Sequence, residues 1–184
     1  MKSNIAPKSI QFVITQDCFL KCKFCDEPSQ NNSTLNLVRK GQYLEIIEKI
    51  KDWGISKLTI TGGEPTTVTC LKEILTKSKK SGLKTSLATN GVKISCPNSK
   101  GVCLLDELAD TIDILKLSMH GVGNAYDEIV GLKGAFGGLI LTLEKALDYK
   151  DKFKTQVTFV VTKDNVKEVG EVFNLCLRYQ VNQL

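Results

Sequence analysis

Cys18, Cys22 and Cys25 stand close together near the start of the chain, with spacings of four and three residues. They follow the apolar run Ile10–Ile14, so the pattern predicts a strand that ends in a cysteine-bearing loop. Cysteine thiolates are the usual ligands of iron–sulfur clusters. We therefore expect one loop to hold three corners of an iron–sulfur cube, with the fourth metal left open for another ligand.

Two other interpretations of these cysteines compete with a cluster. A structural zinc site usually takes two separated pairs of Cys or His ligands. Here His120 is the only histidine, and no second C-x-x-C pair follows. A disulfide would need an exporting context that the N-terminal sequence does not indicate. The sequence favours a cluster, and it leaves zinc and incidental cysteines open.

A second motif, Gly62-Gly63-Glu64-Pro65, follows the predicted strand Lys57–Thr61. Ligands bind at the carboxyl ends of strands in parallel α/β folds. Two glycines remove side chains that would keep a ligand from the backbone, and they permit positive φ. Taken alone, such a sequence is more often only a turn.

Together the two motifs resemble those of the radical S-adenosylmethionine (radical SAM) superfamily, and Phe24 occupies the aromatic position before the last cysteine. The resemblance implies that Cys18, Cys22 and Cys25 bind a [4Fe-4S] cluster whose open iron is chelated by S-adenosylmethionine. It implies that Gly62–Pro65 hold the methionyl end of that cofactor. The activity implied is reductive cleavage of S-adenosylmethionine to a deoxyadenosyl radical, which abstracts hydrogen from an unknown substrate.

Two further cofactor contacts come from the resemblance alone. Thr89-Asn90-Gly91 is similar to the T-N-G that ends the third strand in relatives such as the molybdenum-cofactor biosynthesis protein A group, and Ser118 matches a ribose-contacting position. Asn90 could instead stabilise a turn, and Ser118 could be a satisfied inner-wall hydroxyl. His120 could touch cofactor or substrate, or could be structural.

Composition indicates a soluble globular domain, with 42% apolar and 24% charged residues. The net charge is +5, and nearly all the positively charged residues are lysines. Because arginine is the preferred residue for phosphate recognition, nucleic-acid binding is not indicated. No apolar stretch reaches the roughly 20 residues of a membrane span, and no signal peptide is evident. We expect a cytoplasmic protein. The partners implied by the resemblance are a small-molecule or peptide substrate and an electron donor such as flavodoxin or ferredoxin.

Five predicted strands alternate with helical patterns, which favours parallel strands joined by right-handed crossovers. The strands are Ile10–Ile14, Lys57–Thr61, Lys84–Ala88, Asp113–Met119 and Gln156–Val161. Apolar stripes predict helices that carry Tyr43 to Trp53, Leu71 to Leu75, Leu104 to Leu108, Leu139 to Leu147 and Val169 to Cys176 with Phe173. The glycines from Gly131 to Gly138 are predicted to link strand four to its helix. Asn165 and Glu168 are predicted to cap the last helix.

Several strands alternate apolar and polar residues, so we expect a sheet with helices outside and a partly polar inner face. An antiparallel sheet with one wet face is the alternative. The predicted fold class is an α/β, incomplete (β/α)6-type partial TIM barrel. The resemblance implies six strand–helix units, so residues 1–184 are predicted to be a core domain truncated at its C-terminus, with strand five an exposed edge.

A non-catalytic iron–sulfur or zinc-binding domain is the alternative function. Cys96 and Cys103 could bind a second metal or act on substrate, but their spacing is not diagnostic.

Overall fold

The computed structural model describes residues 7–25 and 40–184, and in this part of the chain five parallel strands form one sheet. The strands are β1 (Ser9–Val13), β2 (Lys57–Thr61), β3 (Lys84–Thr89), β4 (Ile114–Ser118) and β5 (Lys154–Thr158). The helices are α1 (Lys40–Asp52), α2 (Leu71–Lys80), α3 (Leu104–Leu108), α4 (Gly123–Val130), α5 (Ala135–Leu147) and α6 (Val169–Arg178). No helix in the described residues is both long and apolar enough to cross a bilayer.

The strands pair in chain order, each parallel to the next. A doubly wound sheet reverses its strand order at a switch point, and no reversal occurs among these five strands. The order is that of a sector of a (β/α) barrel. The predicted α/β class with about five parallel strands is therefore confirmed.

The two faces of the sheet differ in polarity, as the alternating patterns predict. Ile60, Leu87 and Leu115 occupy neighbouring strands on one face and are completely buried in the core. Lys116 and Ser118 lie on the other face of β4 and are only half-buried. Helix α2 shows how the outer layer is fixed: its buried residues recur at helical spacing, and Gly82, with φ of 80°, follows its end.

The predicted glycine link between strand four and its helix is wrong in two respects. Residues Gly123–Val130 form α4, and Gly137 and Gly138 lie inside α5. A Cβ on Gly138 would overlap the carbonyl of Val92, so this glycine serves close helix packing rather than a turn. Three residues of the predicted stripes are exposed instead, namely Trp53 (59%), Val169 (38%) and Phe173 (50%).

Strand β5 ends three residues earlier than predicted because its continuation finds other partners. The amide of Val160 donates to His120 Nδ1 at 3.1 Å instead of to a neighbouring strand. Asn165 is completely buried and donates from Nδ2 to the carbonyls of His120 and Val160, at 3.0 and 2.9 Å. Asn165 and Glu168 stand at the N-cap positions of a short 3-10 helix (Val166–Glu168) and of α6, but neither side chain makes a capping hydrogen bond, so the predicted side-chain cap is wrong.

The outer edge of β5 is not fully exposed, contrary to the prediction. Gln183 pairs with Gln156 in a parallel bridge, and its carbonyl accepts from the Val157 amide at 2.8 Å. The Asn182 amide donates to the Thr155 carbonyl at 2.8 Å, while Asn182 Oδ1 accepts from the Thr155 amide at 2.9 Å. Residues 182–183 thus occupy the position of a sixth parallel strand.

Replacing Asn182 tests whether this short pairing stabilises the sheet. In Asn182→Ala the Thr155 amide loses a side-chain acceptor, so we expect the free energy of unfolding to fall by roughly 0.5 to 1 kcal/mol. Urea denaturation followed by circular dichroism measures the change. The exposed Asn174, on α6, provides a matched control. Asn174→Ala should not destabilise, since alanine is the better helix former, and an equal loss in both variants would contradict the assignment.

Candidate active site

The cysteine loop is held across the end of α4 by backbone hydrogen bonds. The amides of Lys21 and Lys23 donate to the carbonyls of Val130 and Ile129, both at 2.9 Å. Within the loop, the Leu20 amide donates to Cys18 Sγ at 3.4 Å. This pairing gives the three thiols a fixed position although the loop has no regular secondary structure of its own.

All three cysteines line one open cavity at the carboxyl ends of the strands. The cavity is open to solvent and has a volume of about 170 Å³. Other predicted site residues share its wall, namely Phe24, Gly62, Gly63, Asn90 and Ser118. Glu64 and Pro65 do not line it. The structure thus brings together eight of the ten residues proposed from sequence.

Glu64 lies behind the cavity wall and is completely buried. Its carboxylate accepts from the amide and hydroxyl of Thr66 at 3.0 and 2.7 Å, the Thr89 hydroxyl at 2.7 Å and the Asn90 amide at 2.8 Å. Burying a charge is costly unless it is hydrogen-bonded, and here four donors surround it. Glu64 therefore joins the ends of β2 and β3, and it contacts no cavity space.

The two glycines of the second motif pack against the chain itself. The Gly63 amide donates to the Thr15 carbonyl, and the Glu64 amide donates to the Asp17 carbonyl, both at 2.7 Å. A Cβ added to Gly63 would lie 2.5 Å from the Asp17 carbonyl oxygen. A Cβ added to Gly62 would overlap the Thr15 carbonyl oxygen. The glycines are thus required by segment 15–17, a reason that sequence analysis did not find.

The thiols of Cys18 and Cys22 are protonated at neutral pH in the absence of a metal. Burial raises the pKa of the Cys18 thiol. It also raises the pKa of Cys22 to about 11, with smaller contributions from the neighbouring thiols of Cys18 and Cys25. Metal ligation requires thiolates, so a metal centre would displace these protons on binding. Asn90 opposes the effect of burial, because its side-chain amide lowers the pKa of Cys18.

His120 closes the cavity beside Phe24 as a neutral ring. It is 5% exposed, and the two rings meet edge to face with centroids 4.5 Å apart. Because Nδ1 accepts from the Val160 amide, the neutral ring carries its proton on Nε2. Burial lowers the pKa of His120 to about 4. The ring is therefore uncharged at neutral pH.

Sequence analysis missed three residues that build the site. Tyr126 lines the cavity, is almost fully buried and donates its hydroxyl to the Ser118 carbonyl at 3.3 Å. Thr89 binds Glu64, and Asn165 holds the loop that bears His120. Thr89 belongs to the T-N-G motif, which was a usable signal. Tyr126 gave none, because it lies in α4, where no helix was predicted.

The remaining cysteines lie outside the cavity. Cys96 is exposed, Cys176 is buried in the core as predicted, and the buried Cys103 donates its thiol to Asp106 Oδ2 at 2.9 Å. Within residues 7–25 and 40–184, no three His, Cys, Asp or Glu side chains converge as ligands of one metal ion do. The suggested second metal site at Cys96 and Cys103 has no support in this arrangement.

The close approach of segment 15–17 makes Gly63 sensitive to any side chain. In Gly63→Ala the new methyl group would meet two backbone carbonyls that cannot move independently, so we expect a loss of several kcal/mol in the free energy of unfolding. Gly137, inside α5, has open space around it and serves as the control. Gly137→Ala should stabilise by roughly 0.5 to 1 kcal/mol. Similar thermal midpoints for both variants would refute the packing argument.

The low pKa of His120 predicts acid sensitivity of the metal-free protein. An imidazole in the unfolded chain titrates near 6.5, so between that pH and about 4 the unfolded state binds more protons. Stability is therefore lost as pH falls through this window, by about 2 kcal/mol at pH 5. His120→Gln should remove most of this loss, as shown by urea denaturation at about pH 7.5 and about pH 5. Equal pH dependence of both proteins would exclude a neutral, buried His120.

Comparison with known proteins identifies a family that carries these motifs. The Radical SAM superfamily profile matches residues 12–176. An S-adenosylmethionine-dependent nucleotide dehydratase of Flammeovirga pacifica is 28% identical over 178 residues, which cover 90% of this chain and 57% of that protein. A probable GTP 3',8-cyclase of Sulfurisphaera tokodaii is 26% identical, covering 96% of this chain and 54% of that protein.

Solved structures show the same fold. Streptococcus suis SuiB bound to S-adenosylmethionine superposes with a TM-score of 0.76 at 21% identity, covering 95% of this chain and 37% of that one. A structure of anSMEcpe with bound AdoMet gives a TM-score of 0.73 at 20% identity, covering 97% and 50% of the two chains. The chain spans 36% to 57% of the length of its first three curated relatives. The resemblance drawn from the cysteine and glycine motifs is confirmed: the chain belongs to the radical SAM superfamily.

Proposed function

We propose that this chain binds a [4Fe-4S] cluster through Cys18, Cys22 and Cys25 and cleaves S-adenosylmethionine reductively. The superfamily to which it belongs uses both cofactors. The observation that carries the proposal is that these three thiols share one cavity with Gly62, Gly63 and Ser118 at the carboxyl ends of the strands. A non-catalytic metal-binding domain is not favoured, because the curated relatives include a dehydratase, a synthase and a cyclase.

The chemistry of the donor set supports a cluster more than a single zinc ion. Zinc draws each sulfur ligand to about 2.3 Å, so its ligands converge on one point. No three potential ligands do so in the described part of the chain. A [4Fe-4S] cluster binds each thiolate at a different iron. This arrangement agrees with three thiols that line one cavity without converging on a single point. Cys18 and Cys22 are half-buried, while the exposed Cys25 lies on the open side.

Each part of the wall has a role in this proposal. When bound, the cluster would supply the electron that breaks a carbon–sulfur bond of S-adenosylmethionine, and the radical released would take hydrogen from the substrate. The turn Gly62–Gly63 would hold the methionyl end, and Ser118 would contact the ribose. Phe24 and His120 form a largely apolar, uncharged side, which would exclude water and competing reductants from a reactive intermediate.

The partners of the reaction follow from its chemistry. An electron donor such as flavodoxin or ferredoxin would approach the side of the exposed Cys25. The substrate would be a small molecule or a peptide; relatives are named as a nucleotide dehydratase and as a PqqA peptide cyclase. We place the protein in the cytoplasm, where reducing conditions would keep its seven cysteines available.

Anaerobic reconstitution with iron and sulfide tests the proposal. We expect about four irons per chain and deoxyadenosine formation that requires both dithionite and S-adenosylmethionine. Cys22→Ala should lose the cluster and the deoxyadenosine together, because the cube would lack one of its three protein ligands. Cys96→Ala is the matched control, since Cys96 is exposed and outside the cavity, and it should retain both.

Two outcomes would refute the proposal. Stoichiometric zinc in place of iron after purification and reconstitution would indicate a structural metal site. Deoxyadenosine formation by Cys22→Ala at the wild-type rate would mean that these cysteines do not hold the reactive cluster.

A further inference from the structure

The side chain of Asn90 carries an unused hydrogen-bond donor in the wall of the cavity. Asn90 is 9% exposed and lines the cavity with the cysteines. Among the described residues, its Nδ2 has no partner of normal hydrogen-bond geometry. A buried donor left without a partner costs about 1–3 kcal/mol, and such groups in native proteins usually meet a water, an ion or a ligand. The position therefore indicates an acceptor that is supplied on binding.

The direction of this donor is fixed by its surroundings. Asn90 Oδ1 accepts from the Val92 backbone amide at 2.9 Å. Rotating the Asn90 side-chain amide by 180° would replace this acceptor with the NH₂ group, so that two donors would face each other. The Asn90 amide is itself bound to Glu64, and the next carbonyl, that of Gly91, accepts from the Thr142 hydroxyl at 2.6 Å. Backbone and side chain are thus held from both sides, and Nδ2 has no alternative orientation that keeps these bonds.

The sulfur of Cys18 is a candidate acceptor for this donor, because both residues line the same cavity. The Asn90 side chain also lowers the pKa of the Cys18 thiol, although Nδ2 makes no hydrogen bond of normal geometry in this structure. Cys18 Sγ already accepts one hydrogen bond, from the Leu20 amide at 3.4 Å. A thiolate has further lone pairs, so a second donor is compatible with the first. Hydrogen bonds to the sulfurs are among the factors that set the potential of an iron–sulfur cluster.

We infer that Asn90 Nδ2 donates a hydrogen bond to the sulfur of Cys18 when this residue ligates the cluster, and that this bond raises the reduction potential of the cluster. The inference rests on the proposed function. The donor stabilises negative charge on sulfur, and the reduced cluster carries one more negative charge than the oxidised one. Asn90 would therefore make the cluster easier to reduce, rather than contact S-adenosylmethionine as the family resemblance implied.

Reductive titration of the reconstituted protein, followed by electron paramagnetic resonance without S-adenosylmethionine, tests this role. In Asn90→Leu, which has a similar volume and no donor, the ratio of reduced to oxidised cluster at a fixed potential should fall roughly tenfold, equal to about 59 mV for one electron. Asn90→Asp keeps the acceptor for the Val92 amide and also removes the donor, so it should shift the potential in the same direction. This second variant covers the case in which the leucine variant does not fold.

Ser95 provides a matched control. Its Oγ is the other buried side-chain atom without a partner in the described residues, and it does not line the cavity. Ser95→Ala should keep the wild-type potential. Iron content and thermal midpoint are measured for every variant, so that a shift in potential is distinguished from loss of the cluster or of the fold.

The outcomes separate this inference from the proposed function. A wild-type potential in both Asn90 variants, with full iron content, would overturn the inference while leaving the cluster assignment intact. An unchanged potential with weakened binding of S-adenosylmethionine would also overturn it, and would assign Nδ2 to that cofactor instead. Failure of the wild-type protein to assemble any cluster would overturn the proposed function itself.

Discussion

The buried carboxylate of Glu64 is the interaction on which the cavity depends. It is completely enclosed, and four hydrogen bonds compensate for the loss of its hydration. Because these donors come from Thr66, Thr89 and Asn90, one side chain fixes the ends of β2 and β3 relative to each other. The backbone of the same turn binds segment 15–17, which leads into the cysteine loop. The thiols and the opposite wall are therefore positioned by one continuous network.

This network separates charge from the cavity surface. Glu64 is the acid of its motif, yet it lies behind the wall, and the described residues that line the cavity include no carboxylate and no lysine. The lining instead consists of thiols, hydroxyls, an amide, an imidazole and apolar groups. Electrostatic interactions are stronger where water is excluded and no mobile charge screens them. The bound cofactors would then carry the largest charges in the site, and individual dipoles such as the Asn90 amide would have a greater effect on them.

Sequence analysis predicted best what depends on neighbours in the chain. Strand β2 has the predicted bounds, because Leu58 and Ile60 alternate with polar residues. The cavity could also be anticipated, since motifs at the ends of successive parallel strands must meet at one edge of the sheet. The end of β5 could not be predicted, because the amide of Val160, just beyond the strand, donates to His120 in the loop after β4. Helix α4 was missed because the glycines at both of its ends are typical of a linker. The packing that requires Gly63 could not be predicted, because it involves two loops that are distant in the sequence.

The neutral state of His120 has a consequence for electron transfer. Raising its pKa from about 4 to neutrality would take about 4 kcal/mol. At an effective dielectric constant of about 20, one added negative charge supplies that much only within about 4 Å. The ring of Phe24 already occupies contact distance on one side. An electron that remains farther than about 4 Å from the ring would therefore arrive without proton uptake by His120, and the reduction step would then be independent of pH at this residue.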